Sequence, residues 1–383
     1  IQNTYTLLGA PAINFEGNQV AMASFATAGN NNGTIPNPFL VPLLSTEIEF
    51  GLDVRMFQNR LGLDFTYYHQ KSTNDQLNAQ ISRASGFGST LVNLGEMENK
   101  GVEILLTGTP VRNKDFNWDI SFNIARNRNK VISLIEGTDI LNVEEPRTRT
   151  VFVQHRTGQP FGVLAGWVQK TSPDGQPVFE ENGAPVQSDQ MEVIGNGIPD
   201  FTGGFNNSIS YKGFNLSALI DFRVGGEIYS GTNVRLTQWG LHKQTLQGRE
   251  GEEPLTVSGV IQSGTTSDGT PIYEDFTKTL SPGEANNYWN QMGNRVQDHF
   301  IYDGSFAKLR QITFGYNFPR RLMEKTPFTN VSLSFVGRNL SILWKNVENI
   351  DPESGYSSGN GQGLDYFGMP QSRSYGFNLR ASF

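Results

Sequence analysis

The residues Ser374 to Phe383 alternate without a break: Tyr375, Phe377, Leu379, Ala381 and Phe383 fall on one face, and Ser374, Gly376, Asn378, Arg380 and Ser382 on the other. An alternating strand that ends on an exposed aromatic fits a transmembrane β-barrel, whose outer wall meets lipid and whose terminal aromatic sits in the interfacial girdle. The same period recurs as paired strands. Ile48, Phe50, Leu52, Val54 and Met56 alternate with Glu47, Glu49, Gly51, Asp53 and Arg55, and Leu61, Leu63, Phe65 and Tyr67 answer them after a turn at Gln58 to Arg60. A second pair carries Val102, Ile104 and Leu106, turns through Pro110 to Asp115, and returns with Trp118, Ile120, Phe122 and Ile124. A third runs from Phe201 to Tyr211, turns at Lys212-Gly213, and returns through Phe214, Leu216, Ala218, Ile220 and Phe222. A fourth runs from Ser305 to Phe318 and returns from Val331 to Leu340. The pattern predicts an all-β chain, a transmembrane antiparallel barrel of roughly nine strands.

Connection lengths alternate as strictly as the side chains. Gln58–Arg60, Pro110–Asp115, Lys212-Gly213 and Pro319–Phe328 are short, whereas Ser72–Met97, Asn129–Asp200, Val224–Gly304 and Trp344–Gln371 are long. Outer-membrane barrels have short periplasmic turns and long external loops, so Phe383 is expected on the periplasmic side and residues 1–43 in an extracellular loop region preceding a barrel segment at 44–383. Single-chain bacterial barrels normally have an even strand count, so an odd count points to part of a larger barrel, begun within an external loop. Ile1 opens no signal sequence, so the expectation is that processing removed one or that this is the C-terminal part of a longer polypeptide. The stretch from Gly251 to Pro282 holds no predicted strand.

Composition narrows the class. Only 37% of the 383 residues are hydrophobic, mean hydropathy is -0.40, and no apolar run approaches the roughly 20 residues that a membrane helix needs. Low hydropathy is compatible with a barrel, because every second residue of a strand can face a wet or plugged lumen. The absence of cysteine removes disulfides and thiolate metal sites. A formal charge of -7 argues against nucleic acid as a partner.

Catalytic sets are missing. His69, His155, His242 and His299 are the histidines, and no HExxH or GxSxG motif accompanies them. Gly359-Asn360-Gly361-Gln362-Gly363 neither follows a strand nor opens a helix, so it reads as a loop tip rather than a phosphate cradle. Glu47 and Glu49 share a face with Asp53 and Arg55 and read as a charged lumen wall. No enzyme activity and no cofactor are expected. Asn349, Asp351 and Glu353 offer alternate oxygen atoms for calcium, against which stands a rigid turn centred on Pro352. Trp167, Trp239, Trp289, Tyr366 and Phe367 lie in long connections, where they either stack on a substrate or hold the loops together. Trp118 and Trp344 near strand ends, with Phe383, read as membrane-girdle residues. Lys308 and Arg310 share the sequence parity of Ile312, Phe314 and Tyr316, which conflicts with a simple lipid-facing strand. Either the cations snorkel to the headgroups or a bulge swaps the faces.

One longer string is more specific. Ile301-Tyr302-Asp303-Gly304-Ser305-Phe306-Ala307-Lys308-Leu309-Arg310-Gln311-Ile312-Thr313-Phe314-Gly315-Tyr316-Asn317-Phe318-Pro319 resembles a strand motif of the SusC/RagA-type TonB-dependent outer-membrane transporters. Pro199 to Phe205, Tyr211 to Phe214, Asn99 to Glu103, Asn127 to Val131 and Asp351-Pro352-Glu353 resemble others of that family, in the same order, from about Leu44 to Phe383. Members have roughly 22 strands around a plug, so the resemblance implies that this chain supplies a little under half the wall, with no plug or TonB box of its own. It further implies a nutrient importer of Bacteroidetes-type outer membranes, energised through TonB and capped by a SusD-like surface lipoprotein, with oligosaccharide or peptide as substrate. A structural or adhesion barrel that binds a protein or glycan through its loops is the alternative, and a soluble all-β binding protein is a third reading.

Overall fold

The computed structural model describes residues 5–8, 12–15, 18–21, 24–27, 34–35, 37–80, 89–135, 137–144, 147, 149–355 and 361–383. Much of the expected 1–43 loop region therefore lies outside the described residues. The period-2 segments form one sheet of nine strands: β1 Leu44–Met56, β2 Leu61–Thr73, β3 Glu96–Arg112, β4 Phe116–Ser133, β5 Phe201–Tyr211, β6 Phe214–Val224, β7 Phe306–Asn317, β8 Asn330–Lys345 and β9 Ser374–Ser382. Each strand pairs antiparallel with its neighbour in sequence, so the sheet is an up-and-down wall, open between β1 and β9.

This meander puts the four short turns on one rim and the long connections on the other. Ser382 pairs with Asn330, so the terminal Phe383 belongs to the short-turn rim. Lys212 and Gly213 join β5 to β6 with φ of 45° and 91°, the double left-handed backbone of a two-residue hairpin whose twist matches its strands. The second hairpin is tighter than the sequence suggests. Its strands reach Arg112 and Phe116, and Asn113 Oδ1 accepts from the backbone N–H groups of Asp115 and Phe116, at 3.1 and 2.8 Å. Pro110, which lacks an N–H to give a ladder, sits at a register shift between Gly108 and Val111.

Register confirms the two faces. Phe122 lies opposite Leu106 and Phe205, Ile220 opposite Phe205, and the Phe122 and Phe222 rings stack with centroids 6.0 Å apart. On the other face Asp53 stands opposite Asp64, and Arg55 bridges the two carboxylates at 3.1 and 3.2 Å.

Among the described residues the largest hydrophobic core is not in the wall. The long connections carry a four-strand sheet (Ile140–Glu144, Val151–Arg156, Val163–Gly166, Glu192–Asn196), a hairpin (Thr256–Thr265, Pro271–Thr279) and helices α1 Gly231–Gln238 and α2 Pro282–Arg295. Ser281 and Glu284 form a capping box on α2, with Pro282 in its first turn. Val151, Val153 and Leu164 from one connection pack in a single core with Tyr229, Val234, Leu255, Leu280, Trp289 and Phe300 from the next and Leu364 from the last. Three connections thus form one folded layer on the rim opposite the short turns.

Candidate functional site

The conflict at Lys308 and Arg310 is resolved by a β-bulge. Across from β7, Leu219 pairs with Gln311 and Ile220 with Leu309, so Arg310 is an extra residue without an opposite. An inserted residue reverses parity beyond it. Leu309 and Ala307 therefore continue the apolar face alongside Ile220 and Phe222, while Lys308 turns to the face of Asp221.

The two cations meet carboxylates from the last long connection. Lys308 Nζ lies 2.5 Å from Asp351 Oδ1 and 2.6 Å from Glu353 Oε2. Arg310 pairs with Glu353 through Nη2 and with Asp221 through Nε at 2.6 Å, and its Nη1 donates to Gln371 Oε1 at 3.1 Å. Pro352 holds the intervening turn, and the Glu353 N–H donates to Asp351 Oδ1 at 3.0 Å, so both carboxylates face the bulge. Lys308 and Asp351 side chains are only 5% and 7% exposed. Burial would raise the Asp351 and Glu353 pKa values, yet hydrogen bonds from Lys308 and Arg310 outweigh it and hold both below the usual carboxylate range.

The calcium reading of Asn349, Asp351 and Glu353 is corrected by this arrangement. The carboxylates are taken by cations, and the Asn349 amide donates to Asn233 Oδ1 at 3.0 Å. The neighbouring motif Asp303-Gly304-Ser305 ties the wall to the loop layer in the same way. Ser305 Oγ accepts from the Gly225 N–H at 2.8 Å, Asn346 donates to Asp303 Oδ2 at 2.6 Å, and the Gly304 N–H donates to the Gly226 carbonyl at 2.7 Å. Asp221 was missed from sequence, where it is one more polar residue on an alternating strand.

Three of the five loop aromatics come together. Trp239, 62% exposed at the end of α1, stacks on Phe367, 48% exposed, with centroids 6.3 Å apart, and Tyr366 meets the Phe367 edge at 5.1 Å. Phe367 holds a left-handed φ of 52°, fixed by its N–H donating to Thr232 Oγ1 at 2.7 Å. Such a conformation is rare for a bulky residue and here turns the ring outward against Trp239. Trp289 is different: it is 8% exposed, packs in the layer's core and donates from Nε1 to the Gln247 carbonyl at 3.0 Å. Its place as a substrate-contacting residue is corrected to one that holds the loops together. Trp167 is half-buried and joins neither group; its carbonyl accepts from the Gln297 N–H at 2.7 Å.

The girdle candidates occupy both rims. Trp118 lies opposite Val111 near the short turns and donates to Asn207 Oδ1 at 2.7 Å; Phe383, 92% exposed, ends on that rim; Trp344, opposite Ala307, is on the loop side.

A family model described as TonB dependent receptor-like, beta-barrel, matches residues 5–340. The chain belongs to that family. TonB-dependent receptor P3 of Formosa agariphila is 28% identical over 417 residues, spanning 99% of this chain and 39% of the relative. TonB-dependent receptor SusC of Bacteroides thetaiotaomicron is 24% identical over 283 residues, spanning 70% of this chain and 25% of SusC. The chain thus corresponds to well under half of these relatives. The structure of the RagAB peptide transporter superposes with a TM-score of 0.65 at 20% identity, covering 100% of this chain and 38% of that one, a likeness of fold. The SusC/RagA-type resemblance seen in the motifs is borne out, as is the all-β barrel portion. TonB-dependent receptor barrels belong to the outer membrane, and the family is one of transporters and receptors rather than enzymes.

Proposed function

We propose that this chain forms the C-terminal wall and much of the external loop layer of a TonB-dependent outer-membrane importer of the SusC type, taking up oligosaccharides or peptides captured with a SusD-like surface lipoprotein. The observation that carries the reading is the loop layer. Three long connections share one core on the rim opposite the short turns, and the last of them is clamped to the wall by the ion pairs of Asp351 and Glu353 with Lys308 and Arg310. A packed layer far larger than strand closure requires is suited to binding.

In this reading the short turns are periplasmic, Trp118 and Phe383 sit at one interface with lipid and Trp344 at the other, and Trp239 and Phe367 offer exposed aromatic faces to substrate, with the half-buried Tyr366 packed beside them. The remaining strands, the plug and the contact with TonB come from sequence outside this chain. The test is uptake of labelled oligosaccharides and peptides by cells carrying the full-length protein, with and without TonB, alongside co-purification of a lipoprotein in detergent. TonB-dependent uptake is expected. Surface binding of either ligand with no uptake would replace the importer with an adhesion barrel.

A further inference from the structure

The loop layer also holds a cavity of about 700 Å³ whose polar groups the clamp does not use. Its wall includes His242, Gln244 and His299, and Gln244 fixes the tautomers of both imidazoles. The Gln244 backbone N–H donates to His242 Nδ1 at 3.3 Å, which leaves the proton of the neutral ring on Nε2. The Gln244 side chain donates from Nε2 to Thr237 Oγ1 at 2.8 Å, so its Oε1 accepts from His299 Nε2 at 3.1 Å and His299 Nδ1 is left as an acceptor. Burial lowers the pKa of both rings and keeps them neutral. His242 is 8% exposed, and its Nε2 has no hydrogen-bond partner among the described residues. A buried donor left without an acceptor is one that a ligand can satisfy.

The rim adds charge of one sign. Glu252, Glu253 and Glu348 line the cavity, and among the described residues none of their carboxylates makes a salt bridge or hydrogen bond; Lys243 is the cation beside them. Three carboxylates against one ammonium, in a wall that includes one buried donor without a partner, favour a ligand that brings a positive charge and a hydrogen-bond acceptor together.

Building on the importer reading, we propose that this cavity is a substrate subsite for a protonated amine flanked by a hydroxyl or carbonyl oxygen, the chemistry shared by amino sugars and by lysine-bearing peptides. The ammonium sits among Glu252, Glu253 and Glu348, and the oxygen accepts from His242 Nε2. The test is calorimetry at pH 7 on the full-length protein in detergent, with four probes: a glucosamine disaccharide, its N-acetylated counterpart, a lysine-containing tripeptide and its Nε-acetylated counterpart. At least one amine-bearing probe is expected to bind, at least tenfold tighter than its acetylated form, and which of them binds names the source. Replacing Glu252, Glu253 and Glu348 together by Gln is expected to weaken that binding roughly tenfold, the sum of three exposed charge contributions, in protein whose heat-modifiable gel mobility is unchanged. Equal binding of acetylated probes, unaltered binding by the triple variant, or no binding of any probe would overturn the subsite. Because binding is read directly, these failures leave TonB-dependent uptake as a separate question.

Discussion

Lys308 and Asp351 are 43 residues apart in sequence and 2.5 Å apart in space, joining wall strand β7 to the last long connection. The contact exists because Arg310 is a bulge residue: without the extra residue, the parity of Ile312 and Phe314 would carry Lys308 to the apolar face. The bulge also brings Arg310 to Glu353 of the loop and to Asp221 of β6, so one local irregularity gathers five charged side chains where the loop meets the wall.

Removing one partner from this cluster strands a buried charge. Lys308→Met is expected to destabilise the full-length protein by roughly 3–5 kcal/mol. A double-mutant cycle with Asp351→Asn should give a coupling of about 0.5–3 kcal/mol. Thermal unfolding in detergent reads both, and additive effects would show that the pair contributes nothing of its own.

The face reversal has a separate signature in lipid. Phe122→Arg, Ile220→Arg and Leu309→Arg should each cost about 2–4 kcal/mol if near the bilayer midplane, while Asn123→Arg is milder. Leu309 is the informative case, because uninterrupted alternation from Ile312 assigns it to the lumen. Refolding into vesicles from urea measures the four, and a harmless Leu309→Arg would remove the reversal.

Rim assignment is testable with thiol labelling, since the chain has no cysteine. Ser267→Cys, exposed at the tip of the 256–279 hairpin, should react with an impermeant maleimide on intact cells. Asn113→Cys, in the short turn between β3 and β4, should react only after the outer membrane is permeabilised. The reverse result would invert the topology.

His155 makes the loop layer acid-sensitive. Burial lowers its pKa from 6.5 to about 4, and its Nδ1 accepts from the Gly162 N–H at 3.3 Å. The folded state therefore favours the neutral ring, so the unfolded state binds more protons between those two values and stability falls as pH drops from 6.5 towards 4. The loss is on the order of 3 kcal/mol. Proteolytic nicking of the 134–200 connection should rise over that window in the wild type and rise less in His155→Gln; equal rises would assign the acid effect elsewhere.

What the sequence disclosed followed from periodicity. Nine alternating segments were legible because a half-buried strand repeats every two residues, and the paired segments with their short turns are those observed. The bulge was visible only as a conflict, Lys308 and Arg310 on the wrong face, because one inserted residue leaves the pattern on either side intact. The loop layer was illegible for another reason. Its strands are mostly short, and its core joins Val151, Tyr229, Phe300 and Leu364 from three connections, a long-range assembly that no local window contains. Periodicity assigns residues 251–282 no strand, yet removing them would take Leu255, Val257 and Leu280 out of that core and delete the hairpin. Trp289 and Trp239 look alike as loop tryptophans, and only packing separates the buried one from the exposed one.

Because Tyr229 and Phe300 are sealed within the connections rather than against the wall, two parts of one chain answer to two solvents. The sheet is held in register by hydrocarbon outside it and by closed backbone pairing, and tolerates little chemical change on its lipid side. The layer above it is held by ordinary aqueous hydrophobic burial, like a small water-soluble protein, and its outward residues are free of any demand from the bilayer. A substitution at an outward position of the layer, such as Trp239, therefore meets only the demands of water and of the layer's own packing, while one on the lipid side of the sheet must also satisfy the bilayer.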